Sequence, residues 1–256
     1  MVQRVKAIVS YDGTLFSGWQ KQPNKRTVQT ELEKALRSIH KGEDVRVTAS
    51  GRTDASVHAI AQTVHFDTPL AIPEDKWPKA INSKLPDDVQ VKRAVYAHAD
   101  FHARFDAVEK EYHYRVLTSR TKDIFRRNYV FFYPYPIDVK KMKEAAAYLK
   151  GTHNFSSFCA SGTDVVDMVR TIYRAEIMEK NDELHFIFRG NGFLYNMVRI
   201  MVGTLLEVGK GRREAEDMSA IIAAKKRSAA GKTAPGHGLY LWEVCYEEDK
   251  KQRHQV

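Results

Sequence analysis

The chain alternates between segments of two periodicities, and this alternation most restricts its fold. In the strand-like segments apolar side chains recur at every second position, as at Val5, Ala7 and Val9. Such strands have one buried and one open face, which is typical of antiparallel sheets. Helix-like segments lie between them, with apolar residues every three to four positions. We therefore predict an α+β fold in which mainly antiparallel sheets are covered by helices on one face.

The same periodicities predict the position of each element. We expect strands at residues 4–11, 45–50, 61–67, 89–97, 109–117, 168–178, 184–188 and 239–246. We expect helices at residues 28–40, 73–84, 139–149, 192–208 and 214–224. Thr27 is the predicted N-cap of the first helix. The boundary between two sub-domains is expected near Asp100, which divides the chain into residues 1–100 and 101–256.

The charge of the chain favours a polyanionic partner. It has 256 residues, with 41 Lys and Arg against 32 Asp and Glu, a formal net charge of +9. RNA or DNA is the leading candidate, although many basic proteins bind neither. The basic residues also cluster among small and polar residues, which indicates surface loops. The clusters are Lys21, Lys25 and Arg26; Arg120, Lys122, Arg126 and Arg127; Lys210, Arg212 and Arg213; and Lys225, Lys226, Arg227 and Lys232.

Other functional classes receive little support from the sequence. Cys159 and Cys245 lack the paired spacing of a zinc site or a disulfide framework. Asp54 and His58 are close enough to share a metal, but no third ligand follows, so we predict no metal site. The longest apolar stretch is too short and too charged to span a bilayer, and no apolar N-terminal run indicates a secretory signal. Cytoplasm is the expected location.

Residues 51–57 are the best candidate for a catalytic loop. Asp54 follows Arg52 by two residues in a stretch of small and hydroxylated residues, flanked by predicted strands. A carboxylate presented by a tight loop between rigid elements is a typical catalytic acid or nucleophile. The alternative is that Thr53 and Asp54 form a turn or a helix cap. Spacing alone does not separate the two interpretations.

Tyr112 and Tyr114 are predicted to share one strand face with Lys110. An aromatic pair beside a basic residue is typical of surfaces on which unpaired bases stack. Tyrosine is also common in strand cores, and spacing alone favours core packing.

Arg199 lies in a segment whose faces are nearly all apolar, so its helix is expected to be buried. A guanidinium there is costly unless it is paired. Asn196 and Gly203 lie on the same side of the helix, and Gly203 leaves room for close approach. We expect a carboxylate partner, with Asp54 as the candidate. The alternative is that Arg199 extends to solvent.

Several segments resemble, in order and spacing, the tRNA pseudouridine synthases of the TruA type, over nearly the whole chain. The matching segments are Tyr11-Asp12-Gly13, Gly18-Trp19-Gln20, Gly51-Arg52-Thr53-Asp54-Ala55, Val57-His58-Ala59, Phe101-His102-Ala103-Arg104-Phe105, Lys110-x-Tyr112-x-Tyr114, Asn196-Met197-Val198-Arg199, Val202-Gly203 and Gly238-Leu239-Tyr240-Leu241. The resemblance implies two ferredoxin-like sub-domains whose sheets join into one extended sheet with a central catalytic cleft. It also implies a homodimer that binds the anticodon arm of tRNA. The implied reaction converts uridine to pseudouridine at tRNA positions 38, 39 and 40, without cofactor or metal.

The resemblance also implies a role for five residues. Asp54 matches the nucleophile that helps detach uracil from C1′, through a covalent adduct or a glycal intermediate, and Arg199 matches the arginine that pairs with it. Tyr112 matches the tyrosine that stacks on the target base and is the candidate acceptor of the C5 proton. Arg52 matches the residue proposed to fill the space left by the flipped nucleotide. Leu241 is expected at the cleft wall.

Ser56 departs from the family sequence, which has glycine at this position. If the residue has a positive φ, serine costs roughly 1 kcal/mol there. Ser56 is therefore expected to affect the backbone geometry of the loop and the choice of the tRNA uridines that are modified.

Two other functions remain to be tested against the structure. A non-catalytic RNA-binding module would use the same exposed aromatic residues and tolerate a decayed catalytic loop. A glycosidase or phosphodiesterase would need a second acid or metal ligands near Asp54, for which Asp67 is the only candidate.

Overall fold

The computed structural model describes residues 2–162 and 165–249. It contains two compact units, formed by the described residues of Met1–Val108 with Tyr240–Val256, and by those of Glu109–Leu239. The strands are β1 (Gln3–Tyr11), β2 (Thr48–Ala49), β3 (His58–Thr68), β4 (Val89–Ala97), β5 (Ala107–Leu117), β6 (Phe131–Phe132), β7 (Gly151–Asn154), β8 (Val169–Lys180), β9 (Glu183–Gly190) and β10 (Leu239–Tyr246). The helices are α1 (Val28–Ile39), α2 (Trp77–Asn82), α3 (Val139–Ala147), α4 (Met197–Gly209) and α5 (Asp217–Ala224).

The first unit contains a sheet in the order β4-β1-β3-β10, with β2 paired to β3. The strand β1 is antiparallel to both neighbours, whereas β10 runs parallel to β3. One face of β1 is buried, at Val5, Ala7, Val9 and Tyr11, and the alternate positions on its other face, which include Ile8, are only half-buried. The helix α2 packs on the buried face through Trp77, whose ring meets the edge of Phe66 with centroids 5.4 Å apart. This is the sheet with one covered face that the alternation predicts.

The second unit has an antiparallel sheet in the order β5-β9-β8-β7, with β6 added in parallel at the end of β5. The helices α3 and α4 pack together, and α3 also contacts β8. Most side chains of α4 are buried, as its apolar sequence predicts. The predicted α+β class with mainly antiparallel sheets and covering helices is therefore confirmed.

Element boundaries differ from the predictions where the backbone makes a local turn. The predicted helix at 192–208 begins only at Met197, because Asn196 adopts a left-handed conformation with φ +60°. The predicted strand at 45–50 is reduced to two residues, and the four-residue strand β7 has no counterpart among the predictions. Thr27 caps α1 as expected, its side chain accepting a hydrogen bond from the Thr30 amide. Within the described residues no helix has the length and apolar character needed to cross a membrane.

Candidate active-site residues

The catalytic-loop candidate, residues 51–57, lies between β2 and β3, and contacts with β3 fix its start. The Ser50 amide donates to the Thr63 carbonyl at 2.8 Å, and the Ser50 hydroxyl donates to Gln62 Oε1 at 2.6 Å. Gln62 is fully buried, and its Nε2 donates to the Gly51 carbonyl at 2.8 Å. The neighbouring strand thus sets the path along which the chain approaches Asp54.

Tyr11, the last residue of β1, holds the residue before Asp54. Its hydroxyl is 2.8 Å from Thr53 Oγ1, and burial raises the pKa of Tyr11 to about 12, so the phenol remains neutral at physiological pH. The Trp19 amide donates to the Thr53 carbonyl at 3.0 Å. Thr53 is therefore held through both its side chain and its backbone, which restricts the position of the Asp54 backbone.

Two glycines allow the chain to pack directly against this loop. Gly18 has φ +93°, and a Cβ there would lie 2.7 Å from the Thr53 carbonyl oxygen. A Cβ on Gly13 would lie 2.1 Å from the Val57 carbonyl oxygen. In the sequence these two glycines stand out only as members of two segments that carry the family resemblance. Their structural role, close backbone approach to the loop that carries Asp54, becomes visible in the fold.

Asp54 is half-buried, and its carbonyl accepts a hydrogen bond from the Val57 amide at 3.2 Å. This contact makes Asp54 the first residue of a turn, so the turn interpretation is correct. The strand β3 begins at His58, so the helix-cap interpretation is wrong. Ser56 has φ +61°, which meets the condition under which a serine is strained. The loop therefore keeps a left-handed residue where a glycine would be relaxed.

Arg52 and Leu241, the other two candidates of the first unit, differ sharply in exposure. Arg52 is exposed at the surface of the loop. Leu241 is fully buried in β10, opposite Ala59 of β3. Its neighbour Tyr240 stacks on the His58 ring with centroids 4.7 Å apart.

His58 has a structural contact that sequence reasoning missed. Its Nδ1 accepts a hydrogen bond from the Gly13 amide at 3.0 Å. The histidine therefore links the turn after β1 to the start of β3. A histidine directly after a candidate catalytic loop suggested at most a metal ligand. Among the described residues no group of three His, Cys, Asp or Glu side chains is arranged to bind a metal ion.

In the second unit, Tyr112 lies on β5 opposite Phe188 and retains a small exposed fraction of 9%. Its ring packs edge-on against Phe193, with centroids 5.1 Å apart. Tyr114 is fully buried, and its hydroxyl donates to the Pro235 carbonyl at 2.8 Å. Both tyrosines are therefore packed in the core, Tyr114 completely and Tyr112 with 9% of its surface exposed.

Arg199 is half-buried on α4, and hydrogen bonds to Ala234 and Asn196 orient its guanidinium. Nε donates to the Ala234 carbonyl at 2.8 Å, and Nη1 donates to Asn196 Oδ1 at 2.6 Å. The segment that contains Ala234 approaches the helix at Gly203, where a Cβ would lie 1.7 Å from the Lys232 carbonyl oxygen. The expectation that Asn196 and Gly203 lie on the side of Arg199, with Gly203 leaving room, is confirmed. The guanidinium has a defined orientation, as binding to an anionic group requires.

Asp67, the candidate second acid, is engaged elsewhere. Arg4 donates to both of its carboxylate oxygens, at 2.7 and 2.8 Å, and this bonding holds the pKa of Asp67 below its usual range. Asp67 also lies near the far end of β3 from the Asp54 loop, roughly 30 Å along an extended strand. It therefore does not form an acid pair with Asp54, which removes the basis for a glycosidase or phosphodiesterase.

The sequence is closely similar to a group of curated proteins. A family model described as tRNA pseudouridine synthase matches residues 7–106 and 145–247. A tRNA pseudouridine synthase A of Anoxybacillus flavithermus is 58% identical over 246 residues, covering 96% of this chain and 100% of the relative. The protein of the same name from Geobacillus kaustophilus is 55% identical, covering 97% of this chain and 96% of the relative. A tRNA pseudouridine synthase A 1 of Bacillus cereus is 56% identical, covering 96% of this chain and 99% of the relative.

Similarity to solved structures is much weaker. A chain in the crystal structure of the archaeal box H/ACA sRNP Nop10-Cbf5 complex is 10% identical, with a TM-score of 0.33, covering 87% of this chain and 68% of that chain. A similarity at this level does not bear on fold or function. The family match and the relatives, by contrast, extend along most of this sequence. The chain therefore belongs to the tRNA pseudouridine synthase family.

Proposed function

We propose that this chain isomerises uridine to pseudouridine at positions 38, 39 and 40 in the anticodon arm of tRNA. Membership of the family supports the reaction class. The observation that carries the proposal is the fixed loop around Asp54, whose flanking residue Thr53 is held by Tyr11 and Trp19. A carboxylate on so constrained a loop suits a reaction in which one oxygen must meet one sugar carbon.

Asp54 is the proposed nucleophile. Its carboxylate assists cleavage of the bond between uracil N1 and C1′, through a covalent adduct at C1′ or a glycal intermediate. The detached uracil then turns so that its C5 bonds to C1′, and the proton on C5 is lost while N1 gains one. No atom is added or removed, and the step needs neither cofactor nor metal.

Arg199 is the proposed partner of the Asp54 carboxylate. Its guanidinium is already oriented by Asn196 and Ala234, so it loses little side-chain freedom when it meets an anion. A guanidinium beside a carboxylate holds its oxygens by charge-assisted hydrogen bonds, which fixes the position that both routes require.

The remaining candidates are proposed to bind the nucleotide. Tyr112 is proposed to stack on the target uracil, and its hydroxyl is the candidate acceptor of the C5 proton. Arg52 is exposed, so its side chain is able to occupy the space left by a flipped base. Leu241 is fully buried, so its proposed contribution is to the apolar wall of the cleft.

The biological setting is proposed from the family resemblance. We propose that the chain acts in the cytoplasm as a homodimer that binds the anticodon arm. Sedimentation of the purified chain at micromolar concentration distinguishes a dimer from a monomer.

Mapping of pseudouridine in tRNA tests the proposed function. Unmodified tRNA transcripts carrying uridine at positions 38, 39 or 40 are incubated with the purified chain, and pseudouridine is located at single-nucleotide resolution. Pseudouridine at one or more of these positions is the expected result. Intact tRNA binding with no pseudouridine in any transcript would instead support a non-catalytic RNA-binding module.

A further inference from the structure

The segment 119–130 of the second unit connects β5 to β6 and presents two large apolar side chains to solvent. Phe125 is 83% exposed and Ile124 is 60% exposed. Two adjacent apolar side chains at the tip of a turn do not contribute to the core of the unit. Exposure of this kind is typical of contact with another molecule.

The turn is held firmly by Arg126. Its guanidinium donates to Asp123 at 2.7 Å, to Asp182 at 2.6 Å and to Glu183 at 2.9 Å. Asp123 also accepts a hydrogen bond from the Phe125 amide at 2.8 Å. Asp182 and Glu183 lie at the start of β9, so the turn is anchored to the sheet. A turn whose backbone is fixed in this way loses little conformational freedom on binding.

Three further cations lie in the same segment as the exposed ring. Arg120, Lys122 and Arg127 are all exposed, and none of them forms an ion pair with a described residue. Arg127 Nη1 donates to the Ile124 carbonyl at 2.6 Å, which places this cation beside the tip of the turn. The segment therefore combines an apolar ring with positive charge that remains available to a partner.

We infer that residues 119–130 form an RNA-contact loop, in which Phe125 stacks on a tRNA base other than the reacting uridine while Arg120, Lys122 and Arg127 bind phosphates. An aromatic ring among cations is the combination used for unpaired bases. An apolar protein surface would accommodate the ring but leave three cations desolvated without counter-charge. The inference rests on the proposed function, because tRNA is the polyanion that the family acts on.

The test compares variants in tRNA binding as a function of salt. Phe125→Ala is expected to raise the Kd for an unmodified tRNA transcript about 5- to 150-fold, the loss of one base-stacking contact, without changing the slope of log K against log KCl. Phe125→Tyr keeps a ring and is expected to bind tRNA like wild type.

Lys122→Gln is expected to weaken tRNA binding and to reduce the slope of log K against log KCl by about one phosphate contact. Arg126→Gln releases the turn and is expected to weaken binding although Phe125 is retained.

The matched control is Tyr173→Ala, which removes a ring that is 50% exposed on β8 of the same unit. It is expected to bind tRNA like wild type. Unchanged tRNA affinity of Phe125→Ala, with pseudouridine still formed by the wild type, would overturn the inference and leave the proposed function standing. A changed oligomeric state of Phe125→Ala without a change in tRNA affinity would also overturn it and assign the loop to a protein interface. A wild-type chain that forms no pseudouridine would instead reject the proposed function itself.

Discussion

Ser56 shows how one residue in the candidate catalytic loop is held against its conformational preference. Its φ of +61° lies in the left-handed region, which costs a residue with a Cβ about 1 kcal/mol or more. The Ser56 amide donates to the Phe16 carbonyl at 3.3 Å, and this contact helps to keep the conformation. Strain of this kind persists only where the surrounding structure enforces it.

Replacement of Ser56 tests whether the strain is real. Ser56→Gly is expected to raise the free energy of unfolding by about 1 kcal/mol, because glycine adopts the conformation freely. Ser56→Ala removes the hydroxyl but keeps the Cβ, and its stability is expected to stay close to that of wild type. Urea unfolding of the three proteins measures the difference. A less stable glycine variant would show that Ser56 is not strained.

His65 is expected to make stability sensitive to acid. It is buried on β3, where burial lowers its pKa from an ordinary 6.5 to about 4, and its Nδ1 accepts a hydrogen bond from the Ala103 amide at 3.1 Å. Below pH 6.5 the unfolded chain gains a proton that folded His65 does not accept. The stabilising contribution is therefore complete above pH 6.5 and is lost progressively as the pH falls towards 4.

The measurement is urea unfolding of wild type and His65→Asn at pH 7.5, 5.5 and 4.5. Asparagine keeps an acceptor for the Ala103 amide but does not titrate. As the pH falls, wild type should lose unfolding free energy relative to His65→Asn, because only wild type carries the titrating histidine. A constant difference would mean that His65 is protonated equally in both states.

At the level of the elements, periodicity predicted most strands and helices because burial on one face leaves a regular pattern. It failed where that pattern is absent. The strand β7 has only four residues of low apolar content, and Asn196 delays the start of α4 by a left-handed turn. Arg199 was identifiable because a charge on an apolar helix requires partners. The contacts of Tyr11 and Gly18 with the Asp54 loop join positions far apart in the chain, so no local pattern predicts them.

The approach of the 232–234 backbone to α4 depends on Gly203. Gly203→Ala would place a Cβ 1.7 Å from the Lys232 carbonyl oxygen, so residues 232–234 must move away from α4. The hydrogen bond from Arg199 Nε to the Ala234 carbonyl would then be lost. We expect a loss of about 1–3 kcal/mol in unfolding free energy and reduced turnover. Gly192→Ala is the matched control, because the nearest atoms are 3.5 Å away on the flexible Arg170 side chain. Equal stability of the two variants would contradict the packing described here.

At the level of the whole molecule, the net charge of +9 provides the general attraction for tRNA. Phosphate contacts release counterions, so log K for tRNA should fall linearly with log KCl. Titrations of tRNA binding at KCl concentrations from about 50 to about 300 mM measure the slope of log K against log KCl. An affinity independent of KCl would contradict a role for the basic residues in RNA binding.

The residues with proposed roles are distributed over the two compact units, with Asp54 and Arg52 in the first and Tyr112 and Arg199 in the second. No single unit carries the complete set of proposed groups. Among the proposed roles, that of the Asp54 carboxylate is the one on which all the others depend.

Release of tritium from tRNA labelled at uridine C5 measures that role directly, because C5 loses its hydrogen only when it bonds to the sugar. Asp54→Asn is expected to bind tRNA and to release no tritium above background. Asp67→Asn, the same substitution at a carboxylate paired with Arg4, is expected to release tritium at nearly the wild-type rate. Release by Asp54→Asn at the wild-type rate would contradict the assignment of Asp54 as the nucleophile.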